Sequence, residues 1–177
     1  VDKDAWDKGG AANLEKDWGP CYGYEHLQFE PLFGHQYSHM FIDFRGIRDA
    51  WMREKSAEIG DFDYFENSVR AAEAQQFYAR TNPMGWVGYD DEVWGLTACD
   101  GPGDFKQTID GREREFFSYS ARGPGERDDG TIAPTAAMAS MPFAPDAVTA
   151  CLKAMKARYG EALYTQWGFL DSFNPTL

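Results

Sequence analysis

Asp61-Phe62-Asp63-Tyr64-Phe65-Glu66-Asn67-Ser68-Val69-Arg70-Ala71-Ala72-Glu73-Ala74-Gln75-Gln76-Phe77-Tyr78-Ala79-Arg80-Thr81-Asn82-Pro83 decides how the chain is read. Asp61 or Asp63 supplies a helix N-cap, whose side-chain oxygen takes one of the backbone N–H groups that a first turn leaves unpaired. Phe65, Val69, Ala72, Gln76 and Phe77 fall near one stripe at helical spacing. The Asn82-Pro83 step ends the helix after about Arg80, because proline disfavours helical backbone in the residue before it. Helices recur on both sides. Upstream, Phe41, Phe44, Ile47, Arg48, Trp51 and Met52 are spaced as one face of a helix between Phe33 and about Ala57, with Gly34 and Gly46 as its weak points. Downstream, Ala136 to Met141 reads as a short helix stopped at Pro142. Pro145 and Asp146 suit the first turn of a longer one, with Val148, Cys151, Leu152, Met155 and Tyr159 as its buried stripe and Gly160 as its end.

Long loops separate these helices. Val1 to Pro31 is polar and without a sustained period, and reads as loop with at most a helical turn. Met84 to Asp110 is rich in Gly and Trp, an ordered loop with at most a short helix around Glu92 to Cys99. Arg114 to Ala121 reads as extended, and Gly123-Pro124-Gly125 and Asp128-Asp129-Gly130 as turns. The layout is helix, long decorated loop, helix. It predicts an all-α fold with its chemistry at helix ends.

A chain of 177 residues fits one domain. Six Trp, nine Tyr and thirteen Phe exclude a disordered segment, and charged residues or Gly interrupt every apolar run well short of the roughly 20 residues of a membrane span. A net charge of −12 without a basic stripe excludes nucleic acid as a partner and suits a neutral ligand. Cys21, Cys99 and Cys151 are widely spaced, leave at least one thiol unpaired within the chain, and form no paired metal motif. Val1 in place of Met creates the expectation that an upstream segment has been removed. No nucleotide fingerprint, P-loop or nucleophile elbow is present, so no cofactor is expected.

Four segments concentrate the chemistry. In Gly34-His35-Gln36-Tyr37-Ser38-His39 the two His share a helical face, but no Glu follows His35, so the zinc-protease pattern is absent; a His satisfied in the interior is the plainer reading, and no metal is expected. Asp43 lies four residues beyond His39, placed to orient it or to meet a polar ligand. Asp90 to Gly103 sets four carboxylates around Trp94, an arrangement able to raise one carboxyl in an apolar wall and leave another ionised, or simply a solvated acidic loop. Arg127 to Thr135 is an acidic turn in which Asp128 or Asp129 caps Thr131 and its neighbours. Trp167 to Pro175 alternates rings with Asp171 and Asn174, which suits the apolar C–H faces and hydroxyls of a sugar, or else a loop packed by its own rings.

Pro31 to His39 with Ile42-Asp43-Phe44-Arg45-Gly46, Trp94 to Pro102, Asp128 to Thr135 and Gly168 to Pro175, in that order, resemble the glucoamylase-like domain family, which includes bacterial endo-β-1,2-glucanases and is related to cyclic β-1,2-glucan processing domains. The resemblance covers about residues 20–177. It implies an (α/α)6 toroid with long functional loops at helix ends, a periplasmic or exported bacterial enzyme, and inverting hydrolysis of a β-glucan, with β-1,2-glucan favoured. It also implies a longer ring, so residues 1–177 are expected to form its C-terminal portion, associated with a missing N-terminal half. Within that expectation Glu92 is the general acid, beginning the Trp-bearing segment. The base is Asp100, Asp171 or Asp128, in that order, or a partner carboxylate in the missing half. His39, Asp43, Arg45, Trp94, Trp167 and Asn174 line sugar subsites. The alternative is a non-catalytic glycan-binding protein or inactive subunit that keeps the aromatic, acidic cleft.

Overall fold

The computed structural model describes residues 18–177, so the expectations for Val1 and the rest of residues 1–17 lie outside the described residues. In chain order come a hairpin of β1 (Trp18–Cys21) and β2 (Tyr24–Leu27), helix α1 (Phe33–Gln36) continuing into a 3-10 turn (Tyr37–Met40), and the short helices α2 (Ala50–Glu54) and α3 (Ser56–Ile59). The long helix α4 (Tyr64–Thr81) follows, then β3 (Ala98–Cys99), β4 (Phe105–Ile109), β5 (Arg112–Phe116) and β6 (Ser120–Ala121). Helix α5 (Pro134–Met138), the long helix α6 (Pro145–Leu163) and the pair β7 (Tyr164–Thr165) and β8 (Gly168–Phe169) complete the order. Among the described residues the strands form four separate two-stranded antiparallel pairs, β1-β2, β3-β6, β4-β5 and β7-β8, all decorating a helical framework. No described helix is long and apolar enough to cross a membrane.

Helix α4 starts where the sequence places it. The Asp63 carboxylate accepts from the Glu66 N–H at 2.7 Å, and left-handed Asn82 (φ +42°) closes the C-terminus before Pro83. Its buried face differs from the predicted stripe: Asn67, Ser68, Ala71, Ala72, Ala74, Gln75, Tyr78 and Ala79 are inside, while Phe65, Val69, Gln76 and Phe77 are only partly covered. Small and amide side chains were selected there because backbone packs against the helix. Gln75 Nε2 donates to the carbonyls of Glu30 and Leu96, both at 2.9 Å, and its Oε1 accepts from the Leu96 N–H at 2.7 Å.

The segment behind that contact, Val93 to Thr97, is buried and not helical, against the expected helix around Glu92 to Cys99. Neighbours supply its hydrogen bonds. Leu32 N–H donates to Leu96 O, Ala133 N–H to Gly95 O at 3.0 Å, and the Cys151 thiol to Trp94 O at 3.5 Å. Gly95 has φ +134°, and a Cβ there would stand 2.9 Å from Ala133 O, so only glycine permits this approach. Around this strand-like core the side chains of Val93, Trp94, Leu96, Ile132, Ala136, Val148, Cys151 and Met155 form one cluster. Helix α6 has Pro145 and Asp146 in its first turn as expected and buries Val148, Cys151, Ala154, Met155 and Leu163. It runs through Gly160 to Leu163, and Leu152 and Tyr159 are only partly buried.

The single helix expected over Phe33 to Ala57 is broken. Aspartates take the N–H groups a continuous helix would have bonded internally: Asp63 accepts from Gly46 N–H (2.7 Å) at a glycine with φ +74°, and Asp49 caps α2 through Met52 N–H (2.8 Å). Phe41, expected on a buried face, is 86% exposed. The loop expected before Pro31 contains the β1-β2 hairpin, turned at Tyr22 and Gly23, both with positive φ. The short β6 and the second half of β5 fall in the stretch read as extended, whereas β3 and β4 lie in the stretch read as loop, β4 pairing with β5 through the Asp110-Gly111 turn.

Candidate active site

The site is built on a buried ion pair. Arg122 and Asp129 have no solvent exposure and meet in a two-pronged bridge, Nε to Oδ1 and Nη2 to Oδ2, each 2.8 Å. The remaining guanidinium hydrogens are spent on main chain: Nη1 donates to Cys99 O (2.8 Å), and Nη2 to Phe117 O (2.8 Å) and Ser118 O (3.0 Å). The Asp129 carboxylate also accepts from Phe117 N–H (3.0 Å) and Thr131 N–H (3.1 Å). Burial alone would raise the Asp129 carboxyl, but the Arg122 and Thr131 bonds hold it below the usual carboxylate range. Burial opposes the charge on Arg122 as well, and Asp129 outweighs it and raises its affinity for the proton.

Asp100 sits directly on this pair. Cys99, opposite Ser120 in the β3-β6 bridge, carries the carbonyl that Arg122 grips. Gly101 passes so close that a Cβ would lie 2.1 Å from Arg122 Nη2 and 2.3 Å from Phe117 O. The Asp100 N–H donates to Asp171 Oδ2 at 2.9 Å, and Ser172 Oγ donates to Asp100 O at 2.6 Å. The Asp171 loop is laid against the other end of the buried pair: Ile132 and Phe173 exchange main-chain hydrogen bonds, and Asn174 Nδ2 donates to Asp129 O (2.9 Å) and Thr131 Oγ1 (3.1 Å). Asp104 adds a third carboxylate, fastened by Ser118 N–H (3.0 Å) and Ser118 Oγ (2.7 Å), and the Ser118 N–H bond holds it below the ordinary range. Asp100, Asp104 and Asp171 are all exposed. Trp167, 88% exposed, rises at the tip of the β7-β8 hairpin.

Of the residues proposed from sequence, Asp100 and Asp171 are thus brought into contact. Glu92 is placed elsewhere: it lies in a loop, not at a helix start, and its carboxylate pairs with Arg158 of α6, which also holds Asp90. The buried run Val93 to Thr97 separates it from Asp100 along the chain. Asp128 is a structural anchor. Its oxygens accept from the Tyr78 and Tyr89 hydroxyls, each at 2.6 Å, and burial raises its pKa. Trp94 is 1% exposed and belongs to the core, so it lines no subsite in this structure. The Asn174 amide is occupied in holding Asp129 and Thr131.

His39, Asp43 and Arg45 make a second group. The His39 ring packs on Phe44 and Phe143, each 4.7 Å between centroids, and Nε2 meets Ser68 Oγ at 3.0 Å. Burial, then nearby Arg45, lowers its pKa. Arg45 pairs with Asp43 (3.1 Å) and stacks 4.0 Å from the Phe65 centroid. His35 is an interior histidine: Nε2 meets Phe29 O at 3.0 Å, Nδ1 meets Asn67 Nδ2 at 3.2 Å, and burial lowers its pKa to about 4. The sequence reading passed over Arg122, Asp104, Ser118 and Ser172. The one available signal was Gly101, a glycine whose neighbour must come very close.

Comparison with known proteins supplies the framework for this site. The family model described as "Putative glucoamylase" matches residues 1–177. An exo β-1,2-glucooligosaccharide sophorohydrolase (non-reducing end) from Parabacteroides distasonis is 34% identical over 148 residues, which is 83% of this chain and 17% of that protein. The crystal structure of a "putative glucoamylase" from Bacteroides uniformis superposes with a TM-score of 0.77 at 31% identity, over 99% of this chain and 38% of the other. An endo-β-1,2-glucanase from Chitinophaga pinensis, in complex with sophorotriose and glucose, superposes with a TM-score of 0.73 at 28% identity, over 97% of this chain and 37% of the other. The chain therefore spans well under half the length of the relatives it matches. It belongs to the glucoamylase-like family, and its mostly helical framework is of the (α/α)-toroid type.

Proposed function

We propose that this chain contributes the Asp100–Asp171 side of an active site that hydrolyses β-1,2-linked glucan with inversion. The observation that carries the reading is the contact of two exposed carboxylate residues, Asp171 Oδ2 on Asp100 N–H at 2.9 Å, in a family whose relatives include two β-1,2-glucan-acting enzymes. Asp171 is the base. Its Oδ2 is fixed by a peptide N–H, which leaves Oδ1 to take the proton of a water whose oxygen attacks the anomeric carbon. The glycosidic C–O bond breaks as the water bond forms, and the leaving oxygen takes a proton from a general acid. Such an acid needs a carboxyl raised by an apolar wall. Asp100 and Asp171 are exposed, Glu92 is paired with Arg158, and both oxygens of Asp128 are occupied. None of these four candidates meets that need, and the acid is assigned to a carboxyl other than them. Trp167 and the His39–Asp43–Arg45 group supply sugar contacts in the same reading, a ring face for C–H surface and charged hydrogen-bonding groups for hydroxyls.

The exposed run Tyr37, Met40, Phe41 and Ile42 supports completion by further protein, since clustered apolar surface of this kind marks an interaction face. The test is the full-length enzyme assayed on β-1,2-, β-1,3- and β-1,4-glucans beside its D171N variant. Hydrolysis confined to the β-1,2 substrate, with D171N slowed by about a hundredfold or more, is expected. Normal turnover by D171N removes Asp171 from the base role. Glucan binding without hydrolysis on any substrate identifies a non-catalytic binding protein instead.

A further inference from the structure

We infer that Arg122 is a positioning residue for hydrolysis: through Asp129 it sets the Asp100 loop and the Asp171 loop in register with one another. The inference rests on the reading of Asp171 as base and adds to it the device that holds that base. A surface carboxylate on an exposed loop has no intrinsic reason to point at a neighbouring peptide N–H. Here both loops are tied to the same buried pair. On one side Arg122 Nη1 grips Cys99 O, the carbonyl of the peptide whose N–H belongs to Asp100, and that N–H meets Asp171. On the other side Asn174, three residues beyond Asp171, holds Asp129 O, and the Asp129 carboxylate is locked to Arg122 at two points.

The chemistry of the arm suits the task better than that of any other side chain. A guanidinium presents five N–H groups in a rigid plane. Two meet the carboxylate, and the rest reach four main-chain carbonyls, of Cys99, Ser120, Phe117 and Ser118. An ammonium group can neutralise Asp129 but has three donors and no fixed plane, so it cannot hold this pattern. Gly101 is the complementary half of the device, since its missing Cβ is what lets Arg122 Nη2 lie under the loop. Neither Arg122 nor Asp129 is exposed, so neither touches substrate, and the effect of either is transmitted through the loops.

The test uses the full-length enzyme and four variants, R122K, G101A, N174A and D171N, with kcat and KM on β-1,2-glucooligosaccharides and a thermal melt for each. R122K and G101A are expected to lower kcat by about a hundredfold, the scale of a catalytic group displaced by an ångström, with KM nearly unchanged. N174A leaves the buried pair intact and removes only the tie from the Asp171 loop to Asp129 O, so it carries the test if R122K or G101A fails to fold: a lowered kcat with KM nearly unchanged is expected, and wild-type kcat in N174A overturns the inference. A kcat loss in G101A that is matched by a parallel rise in KM, or wild-type kcat in G101A, overturns the inference. If D171N is inactive while G101A turns over normally, only the positioning role falls. If D171N itself is active, the reading of the base falls and the positioning role with it.

Discussion

Glu92 and His35 show how much a single residue's meaning depends on its partner. Glu92 heads an acidic, Trp-containing run, yet its carboxylate is paired with Arg158 on the surface. On the proposed function, E92Q in the full-length protein is therefore expected to keep turnover within a few-fold of the parent and to cost under about 1 kcal/mol of stability, as exposed ion pairs do. Steady-state kinetics and a denaturant melt check both. His35 is buried neutral, with its pKa lowered to about 4 from 6.5 by burial and then by His26. The unfolded chain thus binds a proton that the native state refuses between those values. This group's share of stability is intact above pH 6.5, and falls as pH drops through the window, by about 3 kcal/mol at pH 4. Urea melts of the full-length protein at pH 7 and pH 4.5 should show the loss, and H35Q should flatten it.

Elements followed the sequence where local chemistry was sufficient. Asp63, Asn82 and Pro83 set α4, and Pro145 and Asp146 began α6, because caps and proline act within one turn. Spacing failed over Phe33 to Ala57, where Asp49 and Asp63 captured backbone N–H groups and broke a plausible helix. It failed again at Val93 to Thr97, whose hydrogen bonds come from residues distant in sequence, Leu32, Gln75 and Ala133. The Asp110-Gly111 hairpin turn was a legible signal, since that pair favours the two positive φ angles such a turn requires. Gly95 is the element-scale weak point. G95A forces a side chain to φ +134° with its Cβ 2.9 Å from Ala133 O. A destabilisation of at least about 1–3 kcal/mol is expected, read as a lowered denaturation midpoint.

At the scale of the whole molecule, Tyr37, Met40, Phe41 and Ile42 remain exposed in a chain covering 38% of a solved relative. On the proposal that further protein covers this face, an F41D substitution should lower the melting temperature of the full-length enzyme. In the isolated 177-residue chain it should instead reduce self-association, measured by light scattering. The sequence by itself determined the helical framework, the family motifs and the pool of carboxylates and rings, because caps, prolines and motif residues act locally. Tertiary structure alone decided which carboxylates became partners. It sent Glu92 to Arg158, sealed Asp128 under two tyrosine hydroxyls and Trp94 in the core, and set the Asp171 carboxylate on the Asp100 main-chain N–H. The contact of the last two follows packing on the buried Arg122–Asp129 pair, where Arg122 holds Cys99 O and Asn174 holds Asp129 O, ties between segments some seventy residues apart that no local pattern encodes.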